Sequence, residues 1–98
     1  MLPAEKCINF TELPDAPSVR VYHSRAVITK EPKEAAQRGG PVVSRLVWEI
    51  LDIPGVCAIT ASAYEVALVK AEMYSWDEIH PVIWKILLLA NTPEGKAQ

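Results

Sequence analysis

The chain has 98 residues, of which 50 % are hydrophobic and 22 % are charged, and its formal net charge is −2. This length supports one domain with one modest core, so we assign residues 1–98 to a single domain and expect 1–5 and 91–98 to fray. The ten basic residues are scattered, which disfavours nucleic acid as a partner. The apolar run over residues 82–90 is too short to span a membrane, which takes about 20 residues.

The first predicted elements form a hairpin. Residues 6–12 alternate in polarity around Ile8 and Phe10 and predict a strand. Residues 13–18 contain prolines, an aspartate and a serine, which is typical of a turn. Residues 19–23 then predict the returning strand.

The segment after this hairpin is less regular. Residues 26–29 either continue the second strand or re-enter it after a bend at 24–25. Residues 30–40 are polar, mixed in charge and end in two glycines, so they predict a solvated surface loop.

A helix follows, and we expect it to begin near Pro41, because a proline at the first helical position loses no hydrogen bond. Pro54 prevents its continuation, and Gly55 supplies the backbone freedom needed where the chain reverses. The predicted buried stripe of the helix consists of Val42, Val43, Leu46, Val47, Ile50 and Leu51.

Two further strands are predicted at residues 56–61 and 64–70. They are joined by a tight turn at 61–63, whose type stays open because it contains no glycine and neither Asn-Gly nor Asp-Gly.

The last helix has the clearest start signal in the chain. Ser75 and Glu78 match a capping box, in which each side chain bonds the backbone of the other residue. Pro81 follows about one turn later and predicts either a kink or an effective helix start at that position. The core-facing residues are expected to be Trp76, Ile79, Ile83, Ile86, Leu87 and Ala90.

The element order predicts the fold class. Strand, strand, helix, strand, strand, helix is an α+β pattern, ββαββα. A four-stranded antiparallel sheet with two helices on one face buries all of the predicted apolar stripes in two layers.

The cysteines and the N-terminal residues bear on location. Residues 1–6 show no basic segment followed by an apolar one, so no signal peptide is predicted. Cys7 and Cys57 are fifty residues apart, and such a pair without an export signal indicates two reduced thiols. We therefore expect a cytoplasmic protein.

A metal site would have to use Cys7, Cys57, His23 and His80, and none of these has the spacing of a compact ligand pair. Cys57 is instead expected to be a small buried residue within a strand, and Cys7 to lie at an outer or edge position. His23 is expected at a strand end and His80 on the surface beside the helix start. No catalytic constellation is present in the sequence, so we expect no enzymatic activity.

The three tryptophans are the remaining candidates for function. Trp76 and Trp84 lie two turns apart on roughly the same side of one helix, whereas Trp48 lies near the solvent side of the other. Aromatic residues at helical spacing usually pack in the core. Trp48 and Trp84 are the two expected to be partly exposed, and they are therefore candidate residues for protein interaction.

Several segments of the chain together match a known family pattern. The chain resembles the N-terminal domain of Nfu/NifU-like iron–sulfur cluster scaffold proteins, including the small proteins that consist of that domain alone. The matching segments are Thr11-Glu12-Leu13-Pro14, residues 46–53 leading into Ile53-Pro54-Gly55-Val56, the paired strands ending in Val69-Lys70, and Trp76-Asp77-Glu78-Ile79-His80-Pro81.

The resemblance implies an accessory, non-enzymatic domain that interacts with iron–sulfur assembly proteins or target apoproteins. In that family a CxxC motif in a separate domain holds the cluster, and neither Cys7 nor Cys57 belongs to such a motif. Iron or an iron–sulfur cluster is therefore implied only by the resemblance and is assigned to no residue of this chain. A direct iron-binding protein that uses cysteine and histidine ligands is the alternative, and a small enzyme with an unrecognised site is the third hypothesis.

Overall fold

Residues 3–92 are described by a computed structural model, in which a short 3₁₀ turn at Ala4–Lys6 precedes five strands and two α-helices. The elements are β1 Ile8–Glu12, β2 Val19–Ser24, β3 Glu34–Gln37, α1 Arg45–Leu51, β4 Val56–Ala61, β5 Glu65–Lys70 and α2 Trp76–Ala90. The strands form one sheet in the order β1-β2-β5-β4-β3, and every neighbouring pair is antiparallel.

The core lies between one face of this sheet and the two helices. Tyr22 of β2 is paired with Val66 of β5, and Leu68 of β5 with Ile59 of β4. Directly paired residues share a face, and these four side chains are all buried. The helices cover the same face with Val47, Ile50, Leu51, Ile79, Ile83 and Leu87. The α+β architecture is thus confirmed.

The predicted number of strands is wrong by one. Strand β3 lies within residues 30–40, which the sequence indicated as a surface loop, and it pairs with β4 at the edge of the sheet. Its sequence, Glu-Ala-Ala-Gln, carries no apolar alternation. Pairing with β4 forms this strand, and that partner lies about twenty residues further along the chain.

Residues 26–29 form no strand, although Ile28 is buried in the core and its N–H donates to the carbonyl of Ala63 at 2.8 Å. Helix α1 begins at Arg45 rather than near Pro41. Val43, expected in the buried stripe, is 72 % exposed.

A β-bulge in β4 changes the expected position of Cys57. The register of β4 against β5 shifts between Val56 and Ala58, so Cys57 is the extra residue. Val56 and Ile59 both face the core as a result, and the Cys57 thiol is exposed. The expectation of a buried Cys57 is therefore wrong.

Helix α2 begins where the capping signal indicates. The Glu78 carboxylate accepts a hydrogen bond from the Ser75 N–H at 2.8 Å, and Ser75 is the N-cap of the helix. Pro81 lies inside the helix, so the helix starts at Trp76 and not at the proline. At the other end Asn91 is buried, and its amide donates to Ser24 Oγ at 2.9 Å.

Packing thus reaches Asn91, within the segment 91–98 for which fraying was expected, whereas residues 1, 2 and 93–98 lie outside the described part. No helix within residues 3–92 has the length and apolar character needed to cross a membrane.

A buried carboxylate ties β3 to the start of α1. Glu34 is 5 % exposed; its Oε1 accepts hydrogen bonds from Ser44 Oγ at 2.6 Å and Thr29 Oγ1 at 2.8 Å. Its Oε2 accepts the N–H groups of Val43 and Ser44, both at 3.1 Å. These bonds hold residues 43 and 44 outside the helix, which explains the late start of α1.

Arg38, just after β3, bonds the backbone at the other end of α1. Its guanidinium donates to the carbonyls of Leu51 at 2.8 Å, Ile53 at 2.6 Å and Val56 at 2.9 Å. An anion at the N-terminal end and a cation at the C-terminal end both complement the helix dipole. This pair stabilises a helix of only seven residues.

We expect Glu34→Gln to lower the free energy of unfolding by about 2 kcal/mol at neutral pH, because charged hydrogen bonds to four donors are lost or weakened. Burial alone would raise the pKa of the Glu34 carboxyl, but the hydrogen bonds from Ser44, Thr29 and Val43 lower it below its ordinary value of 4.5. The stabilisation of the fold by the ionised Glu34 carboxylate is therefore complete above pH 4.5 and is lost as the pH falls through the lowered pKa.

Urea unfolding at several pH values measures this effect. The exposed neighbour Glu31 provides the control variant, Glu31→Gln, which should behave as wild type. A loss in Glu34→Gln that is equally large in strong acid would contradict the assigned role.

Gly55 lies at the reversal between α1 and β4 and has φ of +99°, a conformation that favours glycine. A Cβ atom at this position would lie 2.7 Å from Cγ of Tyr74. Gly39 also has a positive φ, +86°, but a Cβ there would meet no atom within 4 Å. Substitutions at the two glycines therefore distinguish the effect of backbone strain from that of a side-chain collision.

We expect Gly39→Ala to cost about 1 kcal/mol of unfolding free energy and Gly55→Ala about 2 kcal/mol or more. The difference arises because Tyr74 must move away from the new methyl group. Urea unfolding of both variants measures this difference in unfolding free energy. Equal losses would show that Tyr74 moves aside without a cost in free energy.

Candidate functional site

Two segments that lie far apart in the sequence meet on one surface around Arg20. Thr11-Glu12-Leu13-Pro14 covers the end of β1 and the following turn, and residues 76–81 form the start of α2. Glu12 Oε1 lies 2.6 Å from Arg20 Nη2, and the Trp76 ring centre lies 4.7 Å from Arg20 Cζ. Arg20 therefore joins both segments.

The guanidinium of Arg20 is held between two aromatic rings. Its Cζ lies 4.6 Å from the centre of Phe10 on one strand and 4.7 Å from that of Trp76 on the helix. Such contacts stabilise a desolvated cation. We call Phe10, Arg20, Tyr22, Trp76, His80 and Trp84 the Arg20 cluster.

Arg20 is 8 % exposed, yet its hydrogen-bonding capacity is only partly used. Nη2 donates to Glu12, and Nη1 donates to Tyr22 Oη at a long 3.4 Å. Nε is a buried nitrogen with no partner among the described residues. Buried donors are normally satisfied, so Arg20 Nε is an exception among the buried side-chain nitrogens and oxygens of residues 3–92.

Tyr22 and His80 extend the chain of hydrogen bonds into the helix. Tyr22 Oη lies 2.8 Å from His80 Nδ1. Arg20 can only donate to the hydroxyl oxygen, and the buried hydroxyl needs an acceptor for its own hydrogen. This favours a neutral His80 whose Nδ1 accepts from Tyr22.

The ring contacts hold His80 in place. Its ring centre lies 4.9 Å from that of Phe10 and 5.0 Å from that of Trp84. Burial, together with the positive charge of Arg20, lowers the pKa of His80 below its ordinary value of 6.5, against a smaller opposing effect of Asp77. Burial raises the pKa of Tyr22, although Arg20 acts in the opposite direction.

A cleft of about 330 Å³ lies beside the Arg20 cluster. Trp76 forms one wall and donates from Nε1 to the carbonyl of Pro17 at 2.9 Å, which fixes the helix against the hairpin turn. The lining residues are Glu12, Leu13, Pro14, Pro17, Val19, Arg20 and Trp76. The walls are mainly apolar, with one cation and one carboxylate.

The two tryptophans expected to be partly exposed lie in different surroundings. Trp48 is 58 % exposed and lines a separate cleft of about 240 Å³ with Arg38, Val42 and Asp52. Trp84 is half-buried within the Arg20 cluster, where its ring packs against Phe10 and His80. Trp48 is thus available for contact, and Trp84 mainly supports the cluster.

The four candidate metal ligands lie in different places. His23 lies on the open face of the sheet, near Thr11 and Glu65, whereas His80 lies on the helix-covered side. Cys57 lies on β4, and Cys7 directly precedes β1 with its thiol 3.5 Å from the carbonyl of Pro3. Within residues 3–92 no group of three or more His, Cys, Asp or Glu side chains is placed to hold a metal ion.

The sequence-based predictions did not include Phe10, Arg20 and Tyr22 as members of a site. The signal was an arginine and a tyrosine two residues apart in a strand, because such residues share a face. In the folded protein this face is the buried one. The sequence of a single strand does not show which of its two faces will be buried.

Comparison with known proteins gives a shared fold. No family model and no curated protein matches the sequence. The crystal structure of protein SAV1430 from Staphylococcus aureus superposes with a TM-score of 0.65 at 14 % identity, covering 80 % of this chain and 93 % of that one. A NifU-like protein from Saccharomyces cerevisiae superposes with a TM-score of 0.58 at 20 % identity, covering 83 % of this chain and 74 % of that one.

The chain has the fold of both proteins. The resemblance to NifU-like proteins read from the sequence is thereby confirmed as a shared fold. The two segments that meet at Arg20 are among those that carried the resemblance, which makes this surface the candidate functional site.

We expect the protein to lose stability as the pH falls below 6.5 through the lowered pKa of His80. The unfolded chain binds a proton there more readily than the folded one, so protonation favours unfolding. His80→Asn should remove this part of the pH dependence, since an amide oxygen near the Nδ1 position still accepts from Tyr22.

Urea unfolding between about pH 7.5 and about pH 5 measures the effect. The control His23→Asn removes the histidine on the opposite face and should retain the acid-side loss. A wild-type-like pH profile in His80→Asn would contradict the assignment.

Proposed function

We propose that this chain is a non-enzymatic protein-interaction domain that acts with iron–sulfur cluster assembly proteins or their target apoproteins. The observation that carries the proposal is the fold shared with a NifU-like protein, with two of the resembling segments joined on one surface by Arg20. Fold alone does not specify function, so the surface chemistry has to support it.

The surface supports an interaction role. Leu13 is 37 % exposed and Phe10 is 39 % exposed, and both lie next to the cleft or the Arg20 cluster. Aromatic and arginine side chains are enriched in the regions that contribute most to binding between proteins. The polar groups of Tyr22, His80 and Trp76 already bond one another or the backbone, which suits a rigid binding surface.

Direct iron binding by Cys7, Cys57, His23 or His80 is the alternative. Its ligands would have to come from both faces of the sheet, and His80 Nδ1 already pairs with Tyr22. Anaerobic binding of Fe(II) that is lost in Cys57→Ser would favour this alternative.

NMR titration of the ¹⁵N-labelled protein with purified cluster scaffolds and apoproteins tests the proposal. We expect shifts centred on the cleft, and Leu13→Ala should weaken binding about tenfold by removing an apolar contact. Val43→Ala removes a similar exposed side chain next to α1 and is the matched control.

Trp48→Ala tests the second exposed surface in the same titrations. A loss confined to this variant would move the interface to α1. The absence of any shift with scaffolds and apoproteins alike would count against the proposed function.

A further inference from the structure

We propose that the cleft beside Arg20 receives an aspartate or glutamate side chain of the partner protein, whose carboxylate displaces Glu12 from Arg20. The inference rests on the proposed interaction function and specifies the chemistry of the partner. In the free protein the Glu12 carboxylate occupies the place of the partner's acidic group.

The pairing of Arg20 with Glu12 is the first observation. The Arg20 side chain is 10 % exposed, whereas that of Glu12 is 69 % exposed, so the anion remains in water while the cation does not. An exposed carboxylate gains little from such a pair and can leave at low cost. The buried guanidinium, in contrast, requires an anion or another acceptor once Glu12 departs.

The unused donor of Arg20 is the second observation. Glu12 contacts Nη2 through a single oxygen, and the neighbouring Nε has no partner among the described residues. A carboxylate that approaches along the Nε–Nη2 edge forms two parallel hydrogen bonds, which is the stronger arrangement for arginine. A partner carboxylate in that geometry therefore satisfies a donor that Glu12 leaves unpaired.

The walls of the cleft favour a side chain over a free anion. Leu13, Pro14, Pro17 and the Trp76 ring offer apolar contact to the aliphatic stem of the acid and to an apolar neighbour in the partner. The volume, about 330 Å³, is at the lower end for ligand pockets and suits one or two side chains. An acidic residue beside an apolar one matches this lining.

Negative charges near the cleft set a condition on the test, although Lys70, whose N–H donates to the carbonyl of Ser18 at 2.8 Å, adds a positive charge. Asp15 lies between the two lining prolines, and Asp77 and Glu78 lie on the first turn of α2. They repel an acidic partner whether or not Glu12 is displaced. A control must therefore remove a nearby negative charge without freeing Arg20.

The probe is the peptide acetyl-Leu-Glu-Leu-amide, titrated into the ¹⁵N-labelled full chain. Binding is followed at the Arg20 Nε–H and Trp76 Nε1–H resonances. We expect Glu12→Gln to bind the peptide roughly two- to fivefold more tightly than wild type, because the competing carboxylate is gone. Asp15→Asn, the charge control, should tighten binding less than Glu12→Gln does, because it removes a repelling charge without freeing Arg20.

Acetyl-Leu-Gln-Leu-amide should leave both resonances unchanged, and acetate should bind more weakly than the acidic peptide. Equal affinity in Glu12→Gln and wild type, equal tightening in Asp15→Asn, or acetate binding as tight as the peptide's would each overturn the proposal. These titrations contain no iron–sulfur protein, so their failure leaves the scaffold titrations standing as an independent test.

Discussion

The burial of one positive charge organises the half of the molecule that contains α2. Arg20 faces the core side of β2, where an unpaired guanidinium would be strongly unfavourable. Its compensation comes from Phe10 and Glu12 on β1 and from the Trp76 ring at the start of α2. The N-terminal end of the helix and the first hairpin are thus fixed to each other through a single side chain.

At the opposite edge of the sheet, charged side chains bond the two ends of α1. Glu34 of β3 collects the N–H groups at the start of α1, and Arg38, just beyond β3, collects the carbonyls at its end. Each helix is therefore attached to an edge region of the sheet by charged groups in addition to the apolar core. The difference is that both carboxylate oxygens of Glu34 are bonded, whereas Arg20 Nε has no hydrogen-bond partner among residues 3–92.

This difference in hydrogen bonding between Glu34 and Arg20 supports the proposed binding site at Arg20. A completely bonded group such as Glu34 has no remaining capacity for a partner, and its role is stability. Arg20 combines a cation, aromatic walls and an adjoining cleft on the surface where the resembling segments meet. In the proposed function the shared fold positions this surface, and Arg20 Nε, without a partner among the described residues, adds a chemical specificity that a fold by itself does not.

Short-range signals in the sequence were sufficient to locate several element boundaries. Ser75 with Glu78 marked the start of α2, and Pro54 with Gly55 marked the reversal after α1, because capping and backbone restrictions operate within a few residues. The tertiary structure alone decided β3 and the Arg20 cluster. An edge strand without apolar alternation exists through its partner β4. The spacing of Arg20 and Tyr22 places them on one face of β2, but only the packing of Trp76, far along the chain, shows that this face is covered.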